Sequence, residues 1–251
     1  MAVRNREPET VTRAPWDEVR DYFAREHKLG EHVSIEGPTG SGKTLLGLLL
    51  LEERGKRSTV NKRPVHITVM VNKNRDATTQ LLINAGWPRI RDLREWPPPY
   101  GSEQVVLWPS YGDPETVALR QRQIFGPALR EIFASGNQIA YIQEAQYFSD
   151  PPPDGLGLRG TLTRIWGEAR SSGLTMFADT QRPVAVPVKM WTEPYWLFLF
   201  RPEDEDDLKI VAARSGRKQL VLDVLPTLGT HEFLMLRRRP EQLAVISQVE
   251  L

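Results

Sequence analysis

The chain has 251 residues, enough for one large domain with a three-layer core, and its 33 Lys and Arg against 32 Asp and Glu give a formal net charge of +1. This balance gives no overall signal for nucleic acid, so any such contact must come from local patches. The absence of cysteine excludes disulfides and thiol chemistry, and the lack of a long apolar run or signal peptide predicts a soluble, cytoplasmic protein with no membrane segment.

The N-terminal residues are charged and interrupted by prolines. Within them, Trp16, Val19 and Phe23 recur at helical spacing, which predicts one short amphipathic helix. We therefore expect residues 1–30 to form an N-terminal helical arm or lid, and residues 31–251 to form a single domain.

A glycine-rich loop, G-P-T-G-S-G-K-T, matches the phosphate-binding pattern G-x-x-x-x-G-K-[ST]. Glycines let several backbone N–H groups face one anion, and a helix beginning near Lys43 adds the positive end of its dipole. A strand ending at Ile35 and a buried helix over Leu45–Leu51 distinguish this loop from a chance glycine turn. The sequence predicts an ATP site in which Lys43 reaches the β- and γ-phosphates and Thr44 ligates Mg²⁺. The expected lining residues are Gly37, Pro38, Thr39, Gly40, Ser41, Gly42, Lys43 and Thr44.

Further apolar segments alternate with helical ones along the chain. Buried strands are expected at residues 65–71, 105–108, 139–142, 174–178 and 195–200, helices at 114–134 and 158–172, and a hairpin at 231–236 and 243–246. Strands that alternate with helices imply a mainly parallel sheet covered on both faces. The sequence thus predicts an α/β fold of the RecA-like P-loop NTPase type, with a mainly parallel central sheet, helices on both faces and a C-terminal antiparallel hairpin; residues 31–251 would be one P-loop ATPase domain.

Hydrolysis also needs a carboxylate near the metal and a group that orients water. The strand at 139–142 ends in Gln143 and Glu144, so Glu144 is the candidate general base or water-positioning group. We assign Gln143, with Thr44, to the metal site. Most P-loop ATPases have aspartate at the Gln143 position, and a neutral amide cannot match its charge, so we expect low Mg²⁺ affinity, low turnover or both. The alternative is that this pair merely ends a strand.

Residues 162–183 read L-T-R-I-W-G-E-A-R-S-S-G-L-T-M-F-A-D-T-Q-R-P. An arginine-bearing helix leads into R-x-x-G, then a strand, then T-Q-R-P. Together with the phosphate loop and Gln143–Glu144, this order resembles the FtsK/HerA superfamily of DNA-pumping ATPases over roughly residues 31–200.

The resemblance implies roles for three further side chains. Gln181 matches a polar sensor that hydrogen-bonds the γ-phosphate or the attacking water. Arg170, and Arg164 less strongly, match arginines that face the nucleotide of a neighbouring subunit, so that the site would be complete only in a ring. An ordinary solvated helix face is the alternative for each arginine.

The resemblance also implies a homo-oligomeric ring of about five or six subunits that moves double-stranded DNA without sequence specificity. Compact size favours the genome-packaging ATPases of viruses, with capsid or portal proteins as further partners and a location in the host cytoplasm or the virion. Ordinary surface charge is the alternative for each candidate DNA contact. These candidates are Lys73, Asn74, Arg75, Arg159, Arg164, Lys189 and the run Arg237–Arg239.

Two other functions stay open from the sequence. Gln143 in place of an acid would suit a nucleotide-binding module with little hydrolysis. An assembly or secretion ATPase acting on protein would share every ATP-site residue and differ in its channel loops.

Overall fold

A computed structural model describes residues 11–57, 59–60, 63–96, 103–110, 112–113, 116–239 and 242–249. Its strands are β1 (Thr12–Arg13), β2 (Val33–Glu36), β3 (Thr59–Val60), β4 (Arg63–Pro64), β5 (His66–Met70), β6 (Arg89–Ile90), β7 (Gln104–Leu107), β8 (Gln138–Ile142), β9 (Thr175–Thr180), β10 (Trp196–Phe200), β11 (Glu232–Arg237) and β12 (Leu243–Gln248). Its α-helices are α1 (Trp16–Glu26), α2 (Lys43–Arg57), α3 (Ala77–Asn84), α4 (Val117–Ser135), α5 (Ala145–Ser149), α6 (Arg159–Glu168), α7 (Lys189–Thr192), α8 (Glu205–Ser215) and α9 (Lys218–Val224).

One sheet of ten strands organises the molecule, in the order β1-β12-β11-β10-β2-β9-β8-β5-β7-β6. Neighbouring strands are parallel from β10 through β2, β9, β8, β5 and β7 to β6. Strand β11 pairs antiparallel with both β10 and β12. The predicted α/β class is therefore confirmed, with a mainly parallel sheet and an antiparallel C-terminal hairpin. The remaining strands, β3 and β4, form a separate ribbon.

Apolar side chains fill both faces of the sheet because alternate residues of a strand point in opposite directions. Along β8, Ile142 belongs to the core beneath α4 and α6, which includes Phe125 and Trp166. Tyr141 belongs to the opposite core beneath α1 and α2, which includes Phe177. Helices thus cover both faces, and the carboxyl ends of the parallel strands meet at one edge.

The first described helix, α1, packs directly on the sheet. Its Phe23 is fully buried, with ring centroids 5.0 Å from Trp196 and 6.2 Å from Phe177 in edge-to-face geometry. Strand β1 extends the sheet by pairing parallel with β12. Residues 1–10 lie outside the described residues, and the division at residue 30 stays a prediction.

Two predicted helices differ from the structure at their ends. The helix expected from residue 114 begins at Val117, and residues 114–115 lie outside the described residues. The helix expected over 158–172 is α6 as far as Glu168 and then tightens into a 3₁₀ turn, Ala169–Ser172. Gly173 ends this turn at φ +69°, a left-handed conformation that glycine adopts without strain.

Candidate functional site

The glycine-rich loop joins the central strand β2 to α2 at the carboxyl edge of the sheet. Gly40 and Gly42 have φ of +77° and +98°, which a residue with a Cβ atom rarely adopts. A Cβ on Gly37 would lie 2.7 Å from the Cβ of Phe200, so the loop passes too close to β10 for any larger residue. The loop thus has the glycine geometry that an anion cradle requires and lies at the start of a fifteen-residue helix, and phosphate binding there stays a prediction.

Lys43, the first residue of α2, folds back over the loop. Its side chain is buried, and its Nζ donates a hydrogen bond to the carbonyl oxygen of Pro38 at 3.1 Å. Burial lowers the pKa of Lys43, and the carboxylates of Asp179 and Glu144 oppose that shift. A lysine cation at the start of a helix, next to a glycine-rich loop, is suited to binding phosphate.

Glu144 and Gln181 meet beside the loop although 37 positions separate them in the sequence. The Nε2 of Gln181 donates to Glu144 Oε1 at 2.6 Å, and the hydroxyl of Thr39 donates to Gln181 Oε1 at 2.8 Å. Glu144 has φ +52°, a left-handed conformation that turns its carboxylate toward the loop side of β8. The structure therefore brings three sequence-predicted residues into one hydrogen-bonded chain.

Lys73, a candidate DNA contact from the sequence, lies in this cluster instead. It follows β5, the neighbour of β8, and its Nζ lies 2.9 Å from Glu144 Oε1 and 3.8 Å from Asp76 Oδ2. Burial alone would lower the pKa of Lys73, but the hydrogen bond and charge of Glu144, together with the charges of Asp76 and Asp179, raise that pKa. Charge changes at Lys73 would therefore perturb the candidate base.

A second carboxylate, which sequence reasoning missed, lies beneath the loop. Asp179, in β9, is fully buried and accepts hydrogen bonds from the Thr44 hydroxyl at 3.4 Å, from the Glu144 N–H at 2.7 Å and from the Tyr141 hydroxyl. Burial raises the pKa of Asp179, and the Tyr141 and Glu144 donors and the Lys43 charge oppose the shift. An acid within the apolar run M-F-A-D-T is the sequence signal that could have found it.

Gln143 contacts helix α3 and not the residues around Thr44. Its amide Nε2 donates to the hydroxyl of Thr79 on α3 at 2.8 Å, whereas the hydroxyl of Thr44 contacts Asp179. Its Oε1 is buried without a hydrogen-bond partner among the described residues. The contact of Gln143 with the metal shell stays a prediction.

Two cavities flank the loop. One, of about 560 Å³, lies between residues 38–41 of the loop and Phe200, Leu228 and His231. The ring of His231 donates from Nδ1 to the Ser41 carbonyl oxygen at 3.1 Å. The other, of about 540 Å³, is acidic. Its charged lining residues are Glu36, Arg182, Glu203, Asp204, Asp206 and Asp207.

Solved structures with the same architecture include viral and bacterial P-loop ATPases. The genome-packaging NTPase B204 of Sulfolobus turreted icosahedral virus 2, solved with sulfate, superposes with a TM-score of 0.59 at 14% identity over 90% of this chain and 99% of B204. VirB4 of Thermoanaerobacter pseudethanolicus gives 0.64 at 10% identity over 88% and 89% of the two chains. The conjugation coupling protein TcpA of pCW3 gives 0.52 at 14% identity over 95% and 69%.

The fold is therefore the P-loop ATPase fold of these proteins. No protein-family model matches the sequence, and a search of curated proteins finds no relative. At these identities the likeness concerns the fold. B204 itself has been solved with AMP, AMPPCP and ATP-γ-S, so this P-loop fold accommodates nucleotide in that protein.

The arginines that the FtsK/HerA resemblance singled out lie away from the loop of their own chain. Arg170 is in the 3₁₀ turn before β9 with its guanidinium 5.1 Å from the Tyr195 ring centroid, and Arg164 is exposed and pairs with Glu168 at 3.2 Å. Gln181 follows β9 at the other end. At about 3.3 Å per residue, the strand between them spans about 17 Å. Neither arginine is in position to reach the phosphate loop of the same subunit.

The basic run at the end of β11 is largely structural in this P-loop ATPase fold. Arg238 donates to the carbonyl oxygens of Ser215 at 3.0 Å, Arg214 at 2.6 Å and Trp191, and burial lowers its pKa to about 10. Arg237 is buried and binds Tyr22 and Glu26 on α1. Arg239 is exposed.

The oxygen ligands beside the loop suit Mg²⁺. In nucleotide sites this ion is held by one or two carboxylates and the substrate phosphates, with several waters retained. The Thr44 hydroxyl and the Asp179 carboxylate that accepts its hydrogen bond supply oxygen atoms of this kind. Among the described residues there is no cluster of three or more His, Cys, Asp or Glu side chains that could hold a metal ion.

None of the described helices has the length and apolar character needed to cross a bilayer.

Proposed function

We propose that this chain is an ATP-driven, ring-forming motor that translocates double-stranded DNA into a viral capsid. The observation that carries the proposal is the hydrogen-bonded chain from Thr39 through Gln181 to Glu144 beside Lys43. A phosphate loop by itself only binds, whereas a carboxylate and an amide next to it provide what hydrolysis requires.

In the proposed reaction, the loop amides and Lys43 hold the β- and γ-phosphates, with Lys43 leaving the Pro38 carbonyl. Thr44 and the carboxylate beneath it would hold Mg²⁺, whose charge would offset that of the phosphates. Glu144 accepts a proton from water while the water oxygen bonds to the γ-phosphorus and the bond to the β–γ bridging oxygen breaks. Gln181 orients that water and hydrogen-bonds the γ-phosphate, and its contact with Thr39 couples it to the loop. The products are ADP and inorganic phosphate.

We assign the nucleoside to the cavity beside Phe200, Leu228 and His231. It adjoins residues 38–41 of the loop, and its walls mix apolar and aromatic side chains with a few polar groups, as ligand sites usually do. The cavity beside Glu36 carries several carboxylates, which would repel phosphate.

A ring would supply the arginine that each subunit lacks beside its own loop. In this proposal Arg170, assisted by Arg164, offsets charge on the γ-phosphoryl group bound by a neighbour. Mixing two inactive variants tests it: Lys43→Ala subunits lack a working loop but offer the arginine, and Arg170→Ala subunits retain the loop. The proposal expects partial recovery of ATP hydrolysis in the mixture, and a mixture as inactive as its components would contradict it.

Translocation of DNA, rather than protein, is favoured by the whole-chain likeness to B204 of Sulfolobus turreted icosahedral virus, which is described as a DNA-packaging ATPase. The likeness to the type VII secretion ATPase EccC of Thermomonospora curvata keeps protein translocation as the second candidate. The decisive experiment compares ATP hydrolysis with and without double-stranded DNA, together with the oligomer mass in ATP. Stimulation by DNA in a ring supports the motor; a monomer whose rate ignores DNA contradicts it.

Arg75 gives a cleaner probe of DNA contact than Lys73, because Lys73 pairs with Glu144. Arg75 is exposed in the loop between β5 and α3. Arg75→Glu is expected to weaken stimulation by DNA while leaving basal hydrolysis unchanged. Stimulation equal to that of the wild type would favour the protein-translocating alternative.

The proposal also keeps the finer expectations from the sequence. Residues 1–30 act as an arm on a single ATPase domain, capsid or portal proteins anchor the ring, and the protein works in the host cytoplasm or at the virion.

A further inference from the structure

The register of the sheet places Asp179 level with Gln143 on the adjacent strand. Strands β8 and β9 pair in parallel with Ile142 opposite Ala178, so the next residues along each strand are Gln143 and Asp179. Strand β9 lies between β8 and β2, the strand that leads into the phosphate loop. The neutral amide and the carboxylate are therefore one strand apart, and the carboxylate is on the strand nearer the loop.

The contacts of Asp179 point toward the metal side of the loop. One oxygen, Oδ2, accepts from the hydroxyls of Thr44 and Tyr141, and the other, Oδ1, accepts from the N–H of Glu144. Placing a carboxylate in a strand core is costly unless donors surround it. Asp179 thus sits between the hydroxyl expected to ligate Mg²⁺ and the backbone of the candidate base.

Gln143, in contrast, contacts helix α3, which follows β5, and not the phosphate loop. Its amide donates to Thr79 of α3, a helix capped at its N-terminus by Asp76. Turning the side chain to the loop would break that bond.

The packing of α2 on the sheet leaves room for the Tyr141–Asp179 hydrogen bond. Gly47 of α2 faces the phenol so closely that a Cβ there would lie 2.5 Å from the Tyr141 hydroxyl oxygen. This lets the hydroxyl pass beneath α2 and reach Asp179. Three elements, α2, β8 and β9, are therefore matched to hold one carboxylate under Thr44.

We propose that Asp179 supplies the acidic contact to the Mg²⁺ shell that Gln143 cannot supply. The acid is then on β9, at the same level of the sheet as Gln143 at the end of β8. Tyr141 is a positioning residue for that carboxylate, and Gly47 makes room for Tyr141. The inference rests on the proposed nucleotide site and deepens it, because it names the residue on which the metal dependence of that site relies.

The test measures binding of a fluorescent ATP analogue in excess Mg²⁺ and in EDTA. Wild type is expected to bind more tightly with Mg²⁺, and Asp179→Asn is expected to lose most of that gain, about tenfold or more, with little change in EDTA. Gln143→Ala, the matched control, is expected to keep the gain within about twofold. A loss of the gain in Gln143→Ala, or its retention in Asp179→Asn, would overturn the proposal.

A charge-swapped variant separates metal binding from simple packing. Gln143→Asp combined with Asp179→Asn returns one acid to β8, and it is expected to recover part of the Mg²⁺ gain that Asp179→Asn loses. Thermal unfolding of each variant checks folding. If Asp179→Asn does not fold, Tyr141→Phe decides, since loss of the hydroxyl should weaken the Mg²⁺ gain severalfold and an unchanged gain would contradict the inference. If wild type binds no nucleotide in either buffer, the proposed function itself fails.

Discussion

The side-chain amide of Gln181 joins Glu144 to the phosphate loop, donating to the Glu144 carboxylate at 2.6 Å and accepting from the Thr39 hydroxyl at 2.8 Å. One side chain thus touches both the group that would accept the proton of water and the loop that would hold the γ-phosphate. Thr39 is therefore linked to the Glu144 carboxylate by two hydrogen bonds through one side chain.

Replacing Gln181 should therefore impair chemistry more than binding. We expect Gln181→Ala to lower kcat by about 10²-fold, because an oriented donor beside the reacting water is lost, while nucleotide affinity stays close to wild type. Gln219→Ala on α9, where the amide donates to the exposed Asp223, is the matched control. Steady-state hydrolysis and equilibrium binding check this, and equal kcat in the two variants would refute the role.

The buried Glu36 predicts a pH dependence of stability. Burial, and secondarily the charge of Asp207, raise its pKa from 4.5 to about 8, against the charge of Lys43. The folded state then keeps a proton that the unfolded chain releases above pH 4.5. The contribution of Glu36 to stability is therefore greatest below pH 4.5 and declines as pH rises toward 8, by roughly 1.4 kcal/mol per pH unit in that window at most.

Glu36→Gln should remove this decline, because the amide is neutral at every pH. The difference in unfolding free energy between variant and wild type should grow in favour of the variant from pH 5 to pH 8 and level off above. Urea unfolding of the nucleotide-free proteins at several pH values measures it. A difference that does not change across this range would show that Glu36 titrates normally.

Arg238 should matter for stability and its neighbour Arg239 should not. Arg238→Ala strips three backbone carbonyls of their donor, each worth about 1 kcal/mol, and a lowering of Tm by several degrees is expected at roughly 2–4 °C per kcal/mol. Arg239→Ala is expected to stay within about 0.5 kcal/mol of wild type. Similar melting temperatures for both variants would contradict the internal role of Arg238.

Gly47 and Gly160 offer a matched pair of helix substitutions. A Cβ at Gly47 would meet the Tyr141 hydroxyl, so Gly47→Ala should destabilise the protein by about 1–3 kcal/mol. A Cβ at Gly160 of α6 meets nothing within 4 Å, so Gly160→Ala should stabilise it by up to about 1 kcal/mol through helix propensity. Chemical denaturation of both variants decides, and a Gly47→Ala protein as stable as wild type would disprove the close packing.

Sequence patterns predicted the fold because its main signals are local. Buried parallel strands appear as continuous apolar runs, and the loop at residues 37–44 matches a specific sequence motif. The short helix α3 was missed because eight residues give little periodicity. Helix α8 was also missed, although Asp204 accepts from the N–H of Asp206 and acids fill the first turn, which is a recognisable start signal.

The site was only partly predictable because local sequence patterns do not give the order of the strands in the sheet. The proximity of Lys73 to Glu144 follows from β5 lying beside β8, and the sequence does not give that neighbour. Asp179 lay within an apolar run and was counted as part of a strand. The inward turn of Arg238 likewise depends on where α7 and α8 end.

The placement of nucleotide and metal at the loop can be checked by a crystal structure with Mg²⁺ and a non-hydrolysable ATP analogue. We expect triphosphate on the amides of residues 37–44, Mg²⁺ on the Thr44 hydroxyl with Asp179 bonded to a metal-bound water, and Glu144 and Gln181 facing the γ-phosphate. Nucleotide bound elsewhere, or bound at the loop with Glu144 and Gln181 both turned away from it, would refute the proposed site.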